Sequence, residues 1–172
     1  MGGFADLLIF ESVNKMPDET SPLYDQTTLL MARVFALVRA CPAGRVTTYG
    51  WLAKAVGYPR GARMVGWIMN EAYTGIPAQR VINSKGELSG SWAFGSPDQM
   101  RLLLENEGIV FNTAGKVDLK QYGWDPSQDL SDTERERILQ SVDSSVEHPN
   151  QRLIGLIQRD VASPFRDMQK SE

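Results

Sequence analysis

The chain has 172 residues, 42% of them apolar and 23% charged, enough for one ordinary domain with a real core. A net charge of −3 carries no strong bias toward nucleic acid, and a single cysteine beside a single histidine excludes an internal disulfide and a metal site of the usual Cys/His kind. No run reaches the roughly 18 apolar residues of a membrane span, and the N-terminus lacks a signal peptide's basic start and cleavage site, so an intracellular, cytoplasmic protein is expected.

Residues 1–24 mix apolar residues with Gly, Asp and Pro and show no sustained period, which suits an arm with one marginal turn around Leu7 to Phe10. From Thr28 to Ala40, Leu30, Met31, Val34, Phe35 and Val38 recur at helical spacing, and Cys41-Pro42-Ala43-Gly44 stops the pattern. Thr47 and Thr48 are N-cap candidates for a helix over Tyr49 to Val56, with Gly57 as its C′ residue. Pro59 suits the entry to a second helix, which runs to about Asn70 on a stripe of Met64, Val65, Ile68 and Met69. Gly66 costs that helix about 1 kcal/mol against Ala, which points to close backbone packing.

A loop with Gly75 and Pro77 leads to an extended stretch at Val81 and Ile82, a turn over Asn83 to Gly86 and a return over Glu87 to Ser89. Gly90 ends that return, and Ser91 to Gly95 forms a loop with two aromatics. Ser96-Pro97-Asp98-Gln99 has the form of a capping box with Pro at N1, opening a helix that ends at Gly108. Ile109 to Phe111 and Val117 to Leu119 flank a turn composition and suggest a hairpin. Ser131-Asp132-Thr133-Glu134 is a second capping box, and Leu153, Ile154 and Ile157 mark a last amphipathic turn or two, in a tail that either docks on the body or stays mobile.

The charge is unevenly divided. Residues 28–125 hold 11 Lys and Arg against 7 Asp and Glu, whereas the flanks hold 7 against 14. A mildly basic body between acidic ends is what a compact DNA-binding unit with appendages shows. Two short helices joined by Gly57-Tyr58-Pro59 fit a helix-turn-helix, although such pairs also occur in ordinary α/β domains. Arg63 and Arg60 are candidates for DNA contact or a solvated face, Tyr49 for a phosphate contact or a structural role, and Trp51, Trp67 and Trp92 most simply for packing. Glu107 lies in a last helical turn, where the macrodipole disfavours a carboxylate and a partner is expected.

The ordered segments VTTYGWLAKAVGYPRGARMVG, IPAQRVINSKGELSG and LLLENEG resemble the DNA-binding domain of the O6-alkylguanine-DNA alkyltransferase family. The resemblance spans residues 28–125, with residues 1–27 as an arm and 126–172 as an acidic extension. It implies a mainly α fold with small β elements, a winged helix-turn-helix-like alkyltransferase DNA-binding domain. In that family a Tyr at the start of the first helix rotates the target phosphate, and Tyr49 matches it. An Arg of the second helix enters the base stack through the minor groove, and Arg63 matches it. The family's reactive Pro-Cys-His-Arg is here Pro77-Ala78-Gln79-Arg80, and the Glu that orients the His aligns with Glu107.

That departure removes the chemistry. Alkyl transfer needs a thiolate acceptor and a base; Ala78 offers a methyl group, and Gln79 has no nitrogen of useful basicity. The pattern therefore resembles the alkyltransferase-like proteins, which keep the base-flipping architecture without the acceptor. By that resemblance Tyr49, Pro77-Ala78-Gln79-Arg80, Val81, Glu107 and the 88–94 loop form a lesion pocket, with Trp92 as an apolar wall. The implied function is non-enzymatic sensing of O6-alkylguanine in double-stranded DNA, with no cofactor and no membrane, by a monomer that hands the lesion to nucleotide excision repair. Two other readings compete: an alkyltransferase using Cys41 or another acceptor, and a helix-turn-helix regulator with a vestigial pocket.

Overall fold

The computed structural model describes residues 21–96 and 98–161, so the turn expected near Leu7 to Phe10 lies outside the described residues. Helix α1 (Pro22–Ala40) begins six residues before the expected Thr28. Ser21 is its N-cap, accepting from the Tyr24 N–H at 3.1 Å, and Pro22 occupies the first turn. Thr27 and Thr28 are interior residues whose hydroxyls donate back to the Leu23 and Asp25 carbonyls, both at 2.8 Å. The expected stripe is buried as read, with Val34, Phe35 and Val38 fully enclosed.

Strand β1 (Thr47–Thr48) leads directly into helix α2 (Tyr49–Ala55), which ends with Gly57 at φ 97°. Helix α3 (Ala62–Met69) starts later than Pro59 suggested. Pro59 sits instead inside a turn closed by the Gly61 N–H donating to the Tyr58 carbonyl at 2.8 Å. Leu52 and Ala53 of α2 pack with Met64, Val65 and Ile68 of α3 against α1 in one cluster. Gly66 departs from expectation: a Cβ there would meet nothing within 4 Å, so close packing inside this protein does not explain it.

Strand β2 (Val81–Ile82) pairs in parallel with β1, Thr47 opposite Val81 and Thr48 opposite Ile82. It does not pair with the return over Glu87 to Ser89. The Asn83 side chain closes that turn by accepting from the Lys85 and Glu87 N–H groups. Gly86, at φ 79°, is required there, because a Cβ would lie 2.2 Å from the Val117 carbonyl oxygen. The hairpin expected across 109–119 forms no ladder: Asn112 closes its tip, and the Val117 N–H donates to Gly86 at 2.9 Å. Ile109 and Val117 still pack inward, with Ile82, Met100 and Leu104, in a second cluster.

Helix α4 (Gln99–Asn106) follows Asp98, which makes no side-chain cap, so the capping box read at Ser96 is absent. Two single-turn helices, α5 (Leu119–Tyr122) and α6 (Pro126–Asp129), lead to α7 (Asp132–Gln140). The Ser131–Glu134 box at the start of α7 is present in full. Helix α8 (Gln151–Val161) docks on the body: Leu153 and Ile157 are buried in the same cluster as α1 and α3. Among the described residues no helix is long and apolar enough to cross a membrane.

Gly66 carries a helix cost without a packing return in the protein alone. Gly66→Ala should therefore raise stability by about 0.5–1 kcal/mol, measured by denaturant unfolding; a loss would show that the small residue is needed within the fold.

Candidate nucleic-acid interface

Thr48 is extended and its hydroxyl accepts from the Trp51 N–H at 3.0 Å, which launches α2 with Tyr49 as its first residue. Tyr49 is half-buried. Burial pushes its phenol pKa up, and a hydrogen bond with the Ser89 side chain partly offsets this. Gly90 permits the close approach: a Cβ there would lie 2.9 Å from the Tyr49 hydroxyl. Arg63 is exposed on the first turn of α3, and Arg60 is exposed in the turn before it.

The chain returns from α3 through two tight turns. Gly75 takes φ 99°, and Pro77 at φ −76°, ψ 65° is the centre of an inverse γ-turn in which the Ala78 N–H donates to the Ile76 carbonyl at 2.8 Å. This places Ala78, first residue of a 3-10 turn over Ala78–Arg80, in the wall of a cavity of about 220 Å³. Tyr49, Met69, Tyr73, Val81, Phe94 and Met100 are among its other walls. The lining contains no Cys and no His.

Of the residues expected to form the pocket, Tyr49, Ala78 and Val81 line it. Trp92 does not: it is 68% exposed on the 3-10 turn Ser91–Phe94, and Ala93 and Phe94 supply the wall assigned to it. One turn of 3-10 helix rotates neighbouring side chains about a third of a circle apart, so only some can face inward. Pro77, Gln79, Arg80 and Glu107 do not line the cavity either. Pro77 shapes the turn, and the other three form a polar knot with the end of α1.

Glu107 is the centre of that knot. Its carboxylate accepts from Arg80 Nε and Nη2 at 3.0 and 2.9 Å, from Gln79 Nε2 at 3.0 Å and from the Gly44 N–H at 3.2 Å. Arg80 Nη1 also donates to the Cys41 carbonyl at 2.8 Å. Burial alone would raise the Glu107 pKa; the hydrogen bonds from Arg80, Gly44 and Gln79, with the Arg80 charge, outweigh it and hold the carboxyl below its ordinary value. The partner expected from its position at the α4 C-cap is thus Arg80.

A family model for the DNA-binding domain of 6-O-methylguanine DNA methyltransferase matches residues 30–109. The DNA base-flipping protein of Vibrio parahaemolyticus is 39% identical over 98 residues, which cover 56% of this chain and 96% of that one. Alkyltransferase-like protein 1 of Schizosaccharomyces pombe is 36% identical over 100 residues, covering 55% of this chain and 93% of its own. This chain belongs to the alkyltransferase-like family. A crystal structure of S. pombe Atl1 in complex with damaged DNA containing O6-carboxymethylguanine shares 35% identity and a TM-score of 0.50, covering 56% of this chain and 95% of that one.

In this alkyltransferase-like chain the remaining thiol is poorly suited to accept an alkyl group. Cys41 is 1% exposed, with its sulfur near the Pro42 and Arg45 carbonyls, and is not part of the cavity wall. Burial, against a smaller lowering by Arg80, pushes its thiol pKa up to about 12, so the nucleophilic thiolate is scarce at neutral pH. Sequence reasoning missed Met69, Tyr73, Ile76 and Met100 as cavity walls, while Phe94 belongs to the expected 88–94 loop. Only Met69, at the edge of the α3 stripe, had a signal in its spacing.

Two outcomes follow from this geometry. Because the folded Glu107 carboxyl titrates below its ordinary value of 4.5, its contribution to stability is complete above that pH and is lost as pH falls through the folded value. Glu107→Gln should cost about 2 kcal/mol at pH 7 and flatten the acid side of the stability profile, measured by urea unfolding from pH 3 to 7. In the native protein Cys41 should react with iodoacetamide at least about 100-fold more slowly than in urea, measured by intact-mass labelling.

Proposed function

We propose that the protein is a non-enzymatic sensor of O6-alkylguanine in duplex DNA, with residues 28–125 as the DNA-binding unit. The single observation that carries this reading is the Ala78 methyl group in the wall of the cavity, where the resemblance puts an acceptor sulfur. Alkyl transfer would form a sulfur–carbon bond as the carbon–O6 bond breaks, leaving O6 as a carbonyl while a ring nitrogen of the guanine takes up the proton. Ala78 cannot form that bond, and Gln79, whose amide donates to Glu107 at 3.0 Å, has no basic nitrogen to take a proton.

Each remaining part has a physical role in recognition. Arg63, exposed at the start of α3, fills the gap left by an extruded base, and Arg60 contacts the phosphate backbone. Tyr49 turns the target nucleotide at the cavity mouth. Extrusion costs a few kcal/mol, and less for a poorly paired base, so O6-alkylation lowers the cost of binding before any contact with the adduct. The walls at Met69, Ala78 and Val81 then receive the base and leave room for its alkyl group. With no transfer step the complex persists, and its outcome is recruitment of another repair pathway, nucleotide excision repair.

Wild-type protein should bind an O6-methylguanine duplex more tightly than the matched plain duplex at one fixed salt concentration, with no mass gain on the protein afterwards. Fixed salt matters because phosphate contacts make affinity steeply salt-dependent. Arg63→Ala should lower lesion affinity about 10-fold or more by fluorescence anisotropy, with unfolding unchanged. Equal affinity for the two duplexes would leave the helix-turn-helix regulator reading, and a covalent mass gain would leave the enzyme reading.

A further inference from the structure

One residue of the cavity wall, Tyr73, is hydrogen-bonded to a part of the chain beyond the family match, which ends at residue 109. Tyr73 lines the cavity on the connector between α3 and Pro77 and is 43% exposed. A tyrosine in a connector with that exposure would ordinarily sample several rotamers. Here it is fixed at both ends of its side chain. Its ring meets the fully buried Phe35 of α1 edge-on, with centroids 5.7 Å apart at 80°. Its hydroxyl donates to Glu147 Oε1 at 2.9 Å and accepts from Arg39 Nη2 at 3.1 Å.

Glu147 follows the 3-10 turn Ser144–Val146 in the C-terminal extension and is 3% exposed. Almost complete burial of a carboxylate is costly unless it is bonded, and the Tyr73 hydroxyl supplies a bond. The same extension grips this connector twice more. Asn150 Nδ2 donates to Glu71 Oε1 at 2.9 Å, and Leu153 and Ile157 of α8 pack in the cluster that contains Met64, Val65 and Ile68 of α3. Acidic composition alone would have made this segment a solvated tail.

We propose that the C-terminal extension sets the shape of the lesion cavity, with Glu147 as a positioning residue that acts through the Tyr73 hydroxyl. The proposal rests on the sensor reading. With its proton given to Glu147 of the extension and its oxygen accepting from Arg39 of α1, Tyr73 offers the cavity its apolar ring and no free hydroxyl proton. An apolar ring held in one rotamer favours an alkylated base over an ordinary one, because the alkyl group packs on it whereas the bare guanine edge would lose hydrogen bonds there, and the ordering cost is met before the base arrives. Released, the ring could turn into the cavity or away from it, and the discrimination would fall.

The test compares affinity for an O6-methylguanine duplex with affinity for the matched plain duplex, at several salt concentrations, for wild type, Tyr73→Phe, Glu147→Ala and Glu147→Gln. Tyr73→Phe and Glu147→Ala should each lower the modified-to-plain ratio about 5-fold, and Glu147→Ala, which lies outside the cavity wall, should leave plain-duplex affinity and its salt slope as in wild type. Glu147→Gln, which keeps an acceptor in place, should restore the ratio. An unchanged ratio in either of the first two variants, an equal loss on both duplexes, or failure of the Gln rescue overturns the proposal. Tyr73→Phe alters a partly exposed side chain, so it keeps the test decisive if Glu147→Ala unfolds. A wild-type ratio of one is a separate result, and it removes the sensor reading itself.

Discussion

Much of the structure around the cavity depends on one carboxylate. Glu107 closes the C-terminus of α4, where the helix dipole works against it, yet it receives donors from Arg80, Gln79 and the backbone of Gly44. Three segments distant in sequence therefore meet at one charge: the end of α1, the Ala78–Arg80 turn and the end of α4. Arg80 extends the knot to the Cys41 carbonyl, so its guanidinium bonds two of those segments at once. An ion pair this enclosed is a modest source of stability in total, but removal of one partner leaves the other stranded. Its larger effect is geometric: the wall that carries Ala78 has little freedom to move.

That constraint lets the Pro77–Arg80 segment carry other side chains and keep its form. In a relay the carboxylate would orient a base, and the base would activate a nucleophile. Gln79 still donates to Glu107 at 3.0 Å, so the orienting bond survives with an amide in the place of an imidazole. Ala78 remains in the cavity wall because the inverse γ-turn at Pro77 directs it there, whatever its side chain. What is left is a shaped hollow with both polar and apolar surface, beside the polar knot at Glu107. Under the proposed sensor reading, such a hollow discriminates by fit and by the cost of extrusion, without a bond exchange.

Much of this was legible in the sequence, for local reasons. The Thr48 cap, Gly57 and the stripe of Met64, Val65 and Ile68 carry α2 and α3 in their own chemistry, and the Ser131–Glu134 box marks α7 to the residue. Failures came where a local signal had two uses. Pro59 serves a turn as well as a helix start, and Asn83 and Asn112 close their turns with side chains, so neither stretch extends into a hairpin ladder. The parallel pairing of Thr47–Thr48 with Val81–Ile82 joins segments separated by two helices, and no local pattern encodes it. Trp92 misled because aromatic size suggests a wall, whereas position within one 3-10 turn decides which side chain turns inward.

Helix α3, the element proposed to read DNA, also depends on support from elsewhere. It has eight residues, a glycine inside and a glycine N-cap that offers no side-chain hydrogen bond. A helix that short is marginal in water, since nucleation must be repaid by few backbone bonds. Packing must therefore supply its order, and α2 provides part of that through Leu52 and Ala53. Leu153 and Ile157 of α8 join the same cluster, and Asn150 ties the following connector at Glu71. Arg63 rides on this helix, so its placement depends on the residues packed behind it. An insertion probe, the role proposed for Arg63, would lose affinity on a loosely held helix to the entropy of ordering it; here packing orders the helix in advance, and the C-terminal extension contributes to it.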